Sequence, residues 1–363
     1  MVYLSTMLCF TGVLVALTIL LNVAGRYLVN YGICKVDVNE GERPLKVQGG
    51  QSLLAALIGN RIYIPSACGG KGSCGYCKVT VLEGGGPLLP TETPFLTPTE
   101  AKTGVRLACQ VKIRNDVAIR IPADLLNVRQ FQARLASEAT LTPDIKEINL
   151  ALLEPAEIAQ RPGQYIQVQV QGSDGPVFRA YSISSAAHER NKVQLVVRLV
   201  PGGIASTYLH GLKPDDPVVF TGPYGEFRLS EDPEVEVVCV GGGCGMAPIA
   251  NIVTTLYERW PQRRCWMFFG CRTKKDVFYL ERFREMERKF PGLKVVYALS
   301  DALAAGEDWD GETGFVHLSV DKALQHPARR QAFLCGPPPM IDAVTEVLKT
   351  KGLLPGDIFY DKF

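Results

Sequence analysis

Cys68-Gly-Gly-Lys-Gly-Ser-Cys74-Gly-Tyr-Cys77, followed 32 positions later by Cys109 in Leu107-Ala-Cys109-Gln110, is the stretch on which the reading of this chain turns. A C-x5-C-x2-C run with one distant cysteine stands one residue away from the C-x4-C-x2-C…C ligand spacing of [2Fe–2S] clusters. The glycines fit that reading. A two-iron cluster is larger than one ion, so the loop must wrap it closely. Gly69, Gly70, Gly72 and Gly75 permit positive φ and let backbone N–H groups turn toward the cluster sulfurs. Cys68, Cys74, Cys77 and Cys109 are therefore the candidate ligands. A structural zinc site with four cysteines is the alternative, although such sites usually use two C-x2-4-C pairs and here the fourth cysteine stands alone.

Upstream of this loop, Met1 to Gly25 contains no charged residue and ends at Arg26 and Tyr27. As a helix it would span roughly 37 Å, enough for the hydrocarbon core of a bilayer. A cleaved signal peptide is the rival, but there is no basic n-region and Val23-Ala24-Gly25 is a weak cleavage site. A buried core helix is the other rival, ahead of what reads as a full set of soluble domains. One membrane anchor is the expectation. Arg26 and Lys35 follow the span and no Lys or Arg precedes it, which places the body of the chain in the cytoplasm. The net charge of +2 is nearly balanced, which gives no reason to expect nucleic acid as a partner. The remaining seven of the eleven cysteines show no paired spacing, as suits a reducing compartment.

Downstream, the periodicity divides the chain. Residues 31–126 read as a small β-rich domain around the cysteines, with alternating strands at Lys35–Asn39 and Lys78–Leu82 and a short helix at Ser52–Ile58. Residues 127–230 read as an antiparallel barrel. Alternating or apolar runs recur at Arg129–Leu135, Ile145–Leu150, Tyr165–Val170 and Val193–Leu199. From 231 to 363 the pattern becomes strand, helix, strand, helix, the mark of a doubly wound α/β sheet. Its strands are Val235–Val240, Arg264–Phe269, Leu293–Ala298 and Ala332–Cys335. Its helices are Ile249–Trp260, Val277–Lys289 and Met340–Lys349. With residues 1–30 as the anchor, the chain is expected to be multidomain.

Four further motifs carry chemistry. In Arg179-Ala-Tyr181-Ser182, following a strand, an arginine suits a pyrophosphate, and a tyrosine two residues on shares its face and can lie against a flat ring. Ser182 can hydrogen-bond a ring nitrogen. Alone, this motif is equally an ordinary barrel strand. Gly202-Gly203-Ile-Ala205-Ser206-Thr207 is a Gly-rich turn into a helix start, which binds phosphate well but is also what any such turn looks like. Gly241-Gly242-Gly243-Cys-Gly245-Met-Ala-Pro248 lies between a strand and a helix and can carry a dinucleotide pyrophosphate, although Met246 or Ala247 stands where the fingerprint has its last glycine. Cys335-Gly336-Pro337-Pro338-Pro339 ends a late strand, where an open α/β sheet lines its ligand crevice. A lone cysteine there is more often a small buried hydrophobe.

In this order and spacing, the motifs resemble the ferredoxin–NADP reductase superfamily. With the cysteine loop and apolar segment in front, the whole chain is similar to the family of F subunits of Na+-translocating NADH:quinone reductases. Further stretches that carry the likeness are Arg106-Leu-Ala-Cys109-Gln110, Gly222-Pro-Tyr224-Gly-Glu-Phe227, Thr313-Gly-Phe315 and Asp361-Lys-Phe363. The resemblance implies a β-grasp [2Fe–2S] ferredoxin domain, an FAD barrel and an NAD domain. It also implies electron flow from NADH through FAD and the cluster to integral membrane subunits, with quinone reached indirectly, at the inner (cytoplasmic) membrane.

By the same resemblance Arg179 holds the FAD pyrophosphate, helped by backbone groups at Gly203 and Ala205–Thr207. Tyr181 packs on the isoalloxazine and Ser182 bonds near N5. Tyr224, placed after a strand, meets the adenine or the ring. Gly241, Gly242, Gly243, Gly245, Gly336 and Pro337 hold NADH. Cys335 borders the nicotinamide, and Phe363 shields the flavin face until the nicotinamide arrives. FAD over FMN and NADH over NADPH rest on the resemblance alone, since Arg272, Thr273 and Lys274 follow the second strand of the α/β sheet where a 2′-phosphate would bind. One departure stands out: only 13 residues separate Tyr165 from Arg179, where the family carries a long insertion. The rival reading is a reductase that feeds an oxygenase.

Overall fold

The computed structural model describes residues 7, 10–66, 68–173, 175–301 and 309–363, except 21–30. Most of the expected membrane anchor, and Cys9, lie outside the described residues. Residues 10–20 are helical, and Phe10, Val13, Leu14, Val15, Leu17, Ile19 and Leu20 along them are exposed. Among the described residues no helix is long and apolar enough to cross a membrane.

The chain separates into two units, Met1–Val128 and Arg129–Phe363. In the first, β1 (Ile33–Val38), β2 (Arg43–Gln48), β3 (Lys78–Glu83), β4 (Val105–Leu107) and β5 (Val117–Arg120) form a sheet in the order β2-β1-β5-β3-β4. β1 and β5 are parallel and their other pairings antiparallel, which is the β-grasp arrangement. Val36 and Val38 alternate inward with Leu53, Leu54 and Leu57 of the helix Leu53–Gly59, so one apolar core joins sheet and helix. Ser52 caps that helix by accepting from the Ala55 N–H at 3.2 Å.

The second unit begins with β6 (Arg129–Thr142), β7 (Ile145–Glu154), β8 (Tyr165–Gly172), β9 (Gly175–Ser182), β10 (Lys192–Arg198) and β11 (Pro217–Tyr224). They run β10-β7-β6-β11-β8-β9 in antiparallel pairs. A bridge between Ile183 and Leu195 joins the two outer strands and closes the barrel. The β8–β9 hairpin pairs continuously from Tyr165↔Ser182 to Gly172↔Gly175, so the short connection noted in the sequence is a closed hairpin.

β12 (Glu236–Gly242), β13 (Cys265–Cys271), β14 (Leu293–Leu299), β15 (Glu312–Thr313), β16 (Arg330–Gly336) and β17 (Ile358–Lys362) make a parallel sheet in the order β15-β14-β13-β12-β16-β17. Strand order reverses between β12 and β16, and both strands are buried along their full length. Such a reversal opens a crevice at the carboxyl ends of the two strands. Helices run a little longer than the periodicity predicts, at Met246–Arg259 and Pro338–Thr350. The second one is shorter: Leu280–Lys289 is preceded by a 3-10 turn at Lys274–Asp276 that carries its own capping box with Thr273. The barrel's Ile145, Val196 and Phe227 belong to the same apolar cluster as Met246, Ile249 and Phe333 of the parallel-sheet half.

Candidate functional site

The cluster loop carries its four glycines at φ +67° (Gly69), +85° (Gly70), +75° (Gly72) and +72° (Gly75), as the cysteine spacing requires. At Gly75 a side chain would also meet the Phe95 ring, so glycine is needed there for space as well as for φ. The four thiols fall into two pairs. Cys74 Sγ donates to Cys68 Sγ at 3.4 Å, and Cys77 bonds to Cys109. Their hydrogen bond draws the Cys109 thiol down to about 6, aided by Gln110 and the Gly72 backbone, while burial opposes it. Burial likewise works against Cys68, yet bonds from Ser73 and Cys74 bring it to about 7. In each pair the partner moves the other way: the bond to Cys109 and burial push the Cys77 thiol up, and burial pushes the Cys74 thiol up, so one sulfur of each pair is held toward thiolate, the ligating form. Among the described residues no three His, Cys, Asp or Glu side chains converge as a single ion would need. Two thiol pairs fit the two irons of a [2Fe–2S] cluster, each iron taking one pair.

Behind the ligands lies an ion pair that the sequence reading did not single out. Glu92 is fully buried and Arg106 nearly so, joined at 2.6 Å. Arg106 also donates to the carbonyls of Gly85, Gly86 and Pro87 at 2.9–3.0 Å. Glu92 accepts the Leu107 N–H at 2.9 Å, and the next N–H, of Ala108, donates to the Cys77 carbonyl at 2.8 Å. The pair therefore fixes the backbone that supplies Cys109 and touches Cys77.

In the second unit, Arg179, Tyr181 and Ser182 lie within β9 itself and not after a strand. Arg179 and Tyr181 share a face, and burial pushes the Tyr181 hydroxyl up against the pull of the nearby Arg179 cation. Tyr224 also departs from expectation. It ends β11, is 2% exposed, stacks on Tyr165 at 5.5 Å and donates to Thr221 Oγ1 at 2.8 Å. At the 200–207 turn, the Ser206 hydroxyl accepts from the Val200 N–H at 3.1 Å, and the Thr207 N–H bonds Gly203 O at 3.0 Å. Those groups shape the turn, with Gly203 as the residue before the helix and Ala205 buried beneath it.

The crevice at the switch point gathers the remaining candidates. Gly241 and Gly242 end β12, and Gly243 and Gly245 form a short turn into the helix Met246–Arg259. A Cβ on Gly245 would lie 2.1 Å from the carbonyl oxygen of Cys335, so only glycine lets the turn approach the end of β16 this closely. Cys335 and Gly336 face them from the end of β16, and Pro337 follows as the residue before the helix Pro338–Thr350. Burial, with Asp361 and Cys244 nearby, pushes the Cys335 thiol well up, which disfavours a thiolate nucleophile. β17, unseen in the sequence, pairs with β16 and brings Asp361 opposite Cys335. Burial lifts the Asp361 carboxyl to about 6. Phe363 follows, 56% exposed, with its N–H on Gly336 O at 3.4 Å.

Arg198, at the end of β10, is a residue the sequence reading missed. A Cβ on Gly243 would lie 2.6 Å from its Nη2, so the guanidinium rests on the glycine turn, with Asp144 at 3.1 Å on the other side. An isolated arginine at a strand end carries no motif, and only barrel closure aims it at the turn. Positive charge beside a glycine-rich helix entry fits a pyrophosphate.

Family models match in three places. The 2Fe-2S iron-sulfur cluster binding domain matches residues 36–114, the oxidoreductase FAD-binding domain 132–229 and the oxidoreductase NAD-binding domain 239–346. Two solved structures are similar across all three regions. The Amycolatopsis cytochrome P450 reductase GcoB is 32% identical with a TM-score of 0.74, over 91% of this chain and 98% of that one. The ferredoxin reductase in carbazole 1,9a-dioxygenase is 28% identical with a TM-score of 0.68, over 92% and 98%. The F subunit of the Na(+)-translocating NADH-quinone reductase of Neisseria meningitidis is 35% identical, over 98% of this chain and 97% of its own length. Its counterpart in Klebsiella pneumoniae is 34% identical over the same shares. The Neisseria alignment runs over 397 positions against a chain of 363 residues, so the relative carries segments this chain lacks. On likeness of this extent, the chain belongs to the family of F subunits of Na(+)-translocating NADH-quinone reductases.

Proposed function

We propose that the chain is the electron-input subunit of a Na+-translocating NADH:quinone reductase, anchored at the cytoplasmic membrane by its N-terminal segment. The observation that carries this reading is the end-to-end likeness to the F subunits of such reductases. The described helical residues 10–20 support the anchor: their apolar side chains are uncovered, and Thr11 and Thr18 donate back to Met7 O and Leu14 O, as hydroxyls in lipid must.

When bound, FAD would take two electrons as hydride from NADH and the [2Fe–2S] cluster would carry them onward singly. The chain's residues bind and orient. Arg198 and the Gly241–Gly245 turn receive the NADH pyrophosphate, with Gly336 and Pro337 closing the other side. Cys335 borders the nicotinamide as a neutral, positioning side chain. Arg179 would hold the flavin pyrophosphate, with Tyr181 and Ser182 on the same strand to hold its ring. Phe363, exposed beside Gly336, would shield the bound flavin and give way to the nicotinamide. Cys68, Cys74, Cys77 and Cys109 hold the cluster. Integral membrane subunits receive the electrons, and the anchor raises their effective concentration.

A second reading has its own support, because the two similar solved structures are named as reductases of a cytochrome P450 and of a dioxygenase. Copurification from solubilised membranes, followed by NADH:quinone turnover with and without Na+, separates the two. Stoichiometric membrane partners and Na+-stimulated turnover are expected. A lone chain that reduces ferricyanide but not quinone would overturn the pump reading in favour of the oxygenase reductase.

A further inference from the structure

A single chain of hydrogen bonds leaves the nucleotide half of the second unit, crosses the barrel and returns to the nucleotide half. It starts at Asn251, on the helix that begins at the glycine turn. This side chain is fully buried, and its Nδ2 donates to Ser185 O at 2.7 Å and to Gln160 Oε1 at 3.0 Å. Gln160 donates in turn to the same Ser185 carbonyl at 3.1 Å. Ser185 Oγ accepts the Gln194 N–H at 3.2 Å, and Gln194 Nε2 donates to Asn149 Oδ1 at 3.0 Å. Asn149 Nδ2 donates to Glu147 Oε1 at 3.3 Å. Glu147 Oε2 accepts the hydroxyl of Tyr279, back in the nucleotide half at the start of the helix Leu280–Lys289.

Both ends are specialised. Asn251 brings a polar side chain into the apolar packing of its helix, where burial is costly unless partners are supplied. Tyr279 has φ +59°, a left-handed backbone that a bulky residue adopts only when its surroundings hold it there. The middle lies close to the chemistry. Ser184 and Ser185 are two and three residues past Ser182, and Ser184 is tied to Gln194 by its backbone N–H at 2.8 Å and its hydroxyl at 3.2 Å.

We propose that this chain of bonds is a positioning device. It holds the nucleotide half in register with the flavin strand, with Asn251 and Tyr279 as its two anchoring residues. Resting on the function proposed above, the device sets the rate of flavin reduction by NADH and not the affinity for NADH. Asn251 is 0% exposed and lies six residues beyond Gly245, so it acts on the nicotinamide only through the placement of its helix against Ser185. A misplacement of about 1 Å costs up to ~100-fold in rate.

The test uses the full chain with flavin and cluster, as wild type, Asn251→Ala, Tyr279→Phe and the double variant. Tyr279→Phe removes one hydroxyl and keeps the ring, so it folds even if Asn251→Ala does not. Flavin reduction is followed by stopped flow across NADH concentrations, and amide hydrogen exchange is measured without NADH. The expected result is a limiting rate lowered about 5- to 50-fold in each single variant, an NADH dissociation constant within about twofold of wild type, and faster exchange across residues 181–195 in both. The double variant should fall short of the product of the single effects, as for residues of one network. Limiting rates within twofold of wild type, or exchange over 181–195 unmoved by Tyr279→Phe, would overturn the device while leaving the function standing. A wild-type flavin that NADH does not reduce would overturn both.

Discussion

Replacing Arg106 with leucine should strip the cluster from this protein while leaving its flavin chemistry in place. In the first unit, Arg106 supplies the only cation bonded to Glu92 among the described residues, at 2.6 Å, and Glu92 is fully buried. Burial alone would raise the Glu92 carboxyl; bonds from Arg106 and from the Leu89 and Leu107 N–H groups more than reverse this and hold it below the usual range. Leucine keeps the apolar stem and removes the charge. A buried carboxylate left without its partner costs about 3–5 kcal/mol. The carbonyls of Gly85, Gly86 and Pro87 lose their donor as well. A domain near 100 residues is stable by only about 5–15 kcal/mol. At roughly 4–8 °C per kcal/mol, the thermal midpoint of the cluster unit should fall by about 12 °C or more. The visible absorbance of the cluster reports that transition, and flavin fluorescence reports the second unit independently. NADH–ferricyanide turnover at the flavin should survive, and turnover with a one-electron acceptor served by the cluster should be lost. A cluster transition within about 3 °C of wild type would refute the assignment of this ion pair as the support of the Cys109 backbone.

Arg198→Ala should raise the KM for NADH about tenfold or more with a smaller change in kcat, the loss expected for one charge-assisted phosphate contact of ~1.5–3 kcal/mol; steady-state kinetics at fixed acceptor reads it. Gly245→Ala should abolish NADH binding but not flavin or cluster content, because its Cβ collides with the Cys335 backbone; titration of the flavin spectrum with NADH checks this. Asp361 should make the second unit lose stability as pH rises. Its carboxyl is lifted to about 6 in the folded chain against 3.8 when unfolded. The folded state therefore holds the proton more tightly, and that contribution is full below pH 4 and is lost as pH passes through about 6, at up to ~1.4 kcal/mol per pH unit between. Asp361→Asn should flatten this slope in urea unfolding across pH 4 to 7, and an unchanged slope would place the titration elsewhere.

Local chemistry was legible without coordinates. Four cysteines interleaved with glycines specify a cluster loop because ligand spacing and positive φ are properties of adjacent residues. Strand–helix alternation gave the doubly wound half for the same reason, since periodicity is set by the chain itself. Elements whose stability comes from neighbours were not legible. β17 has only five residues and forms because β16 offers it a parallel edge. β11 runs through Gly222 and Pro223 to Tyr224, further than the sequence reading carried that strand, because β6 and β8 flank it. Tyr224 was placed after a strand and instead ends β11, where the pairing with β8 turns it onto Tyr165.

The sequence by itself determined the cluster loop and the order of the domains, since these depend on cysteine and glycine spacing and on the period of the chain, while the flavin and nucleotide assignments came from resemblance to a family. Only the tertiary structure decided how the sites are built. The sorting of the four thiols into two pairs depends on packing. So do Arg198 on the glycine turn, Asp361 opposite Cys335 and the path from Asn251 to Tyr279. Apart from Cys68 with Cys74, each joins residues tens of positions apart, and such neighbours are chosen by burial and strand pairing, which no local pattern records.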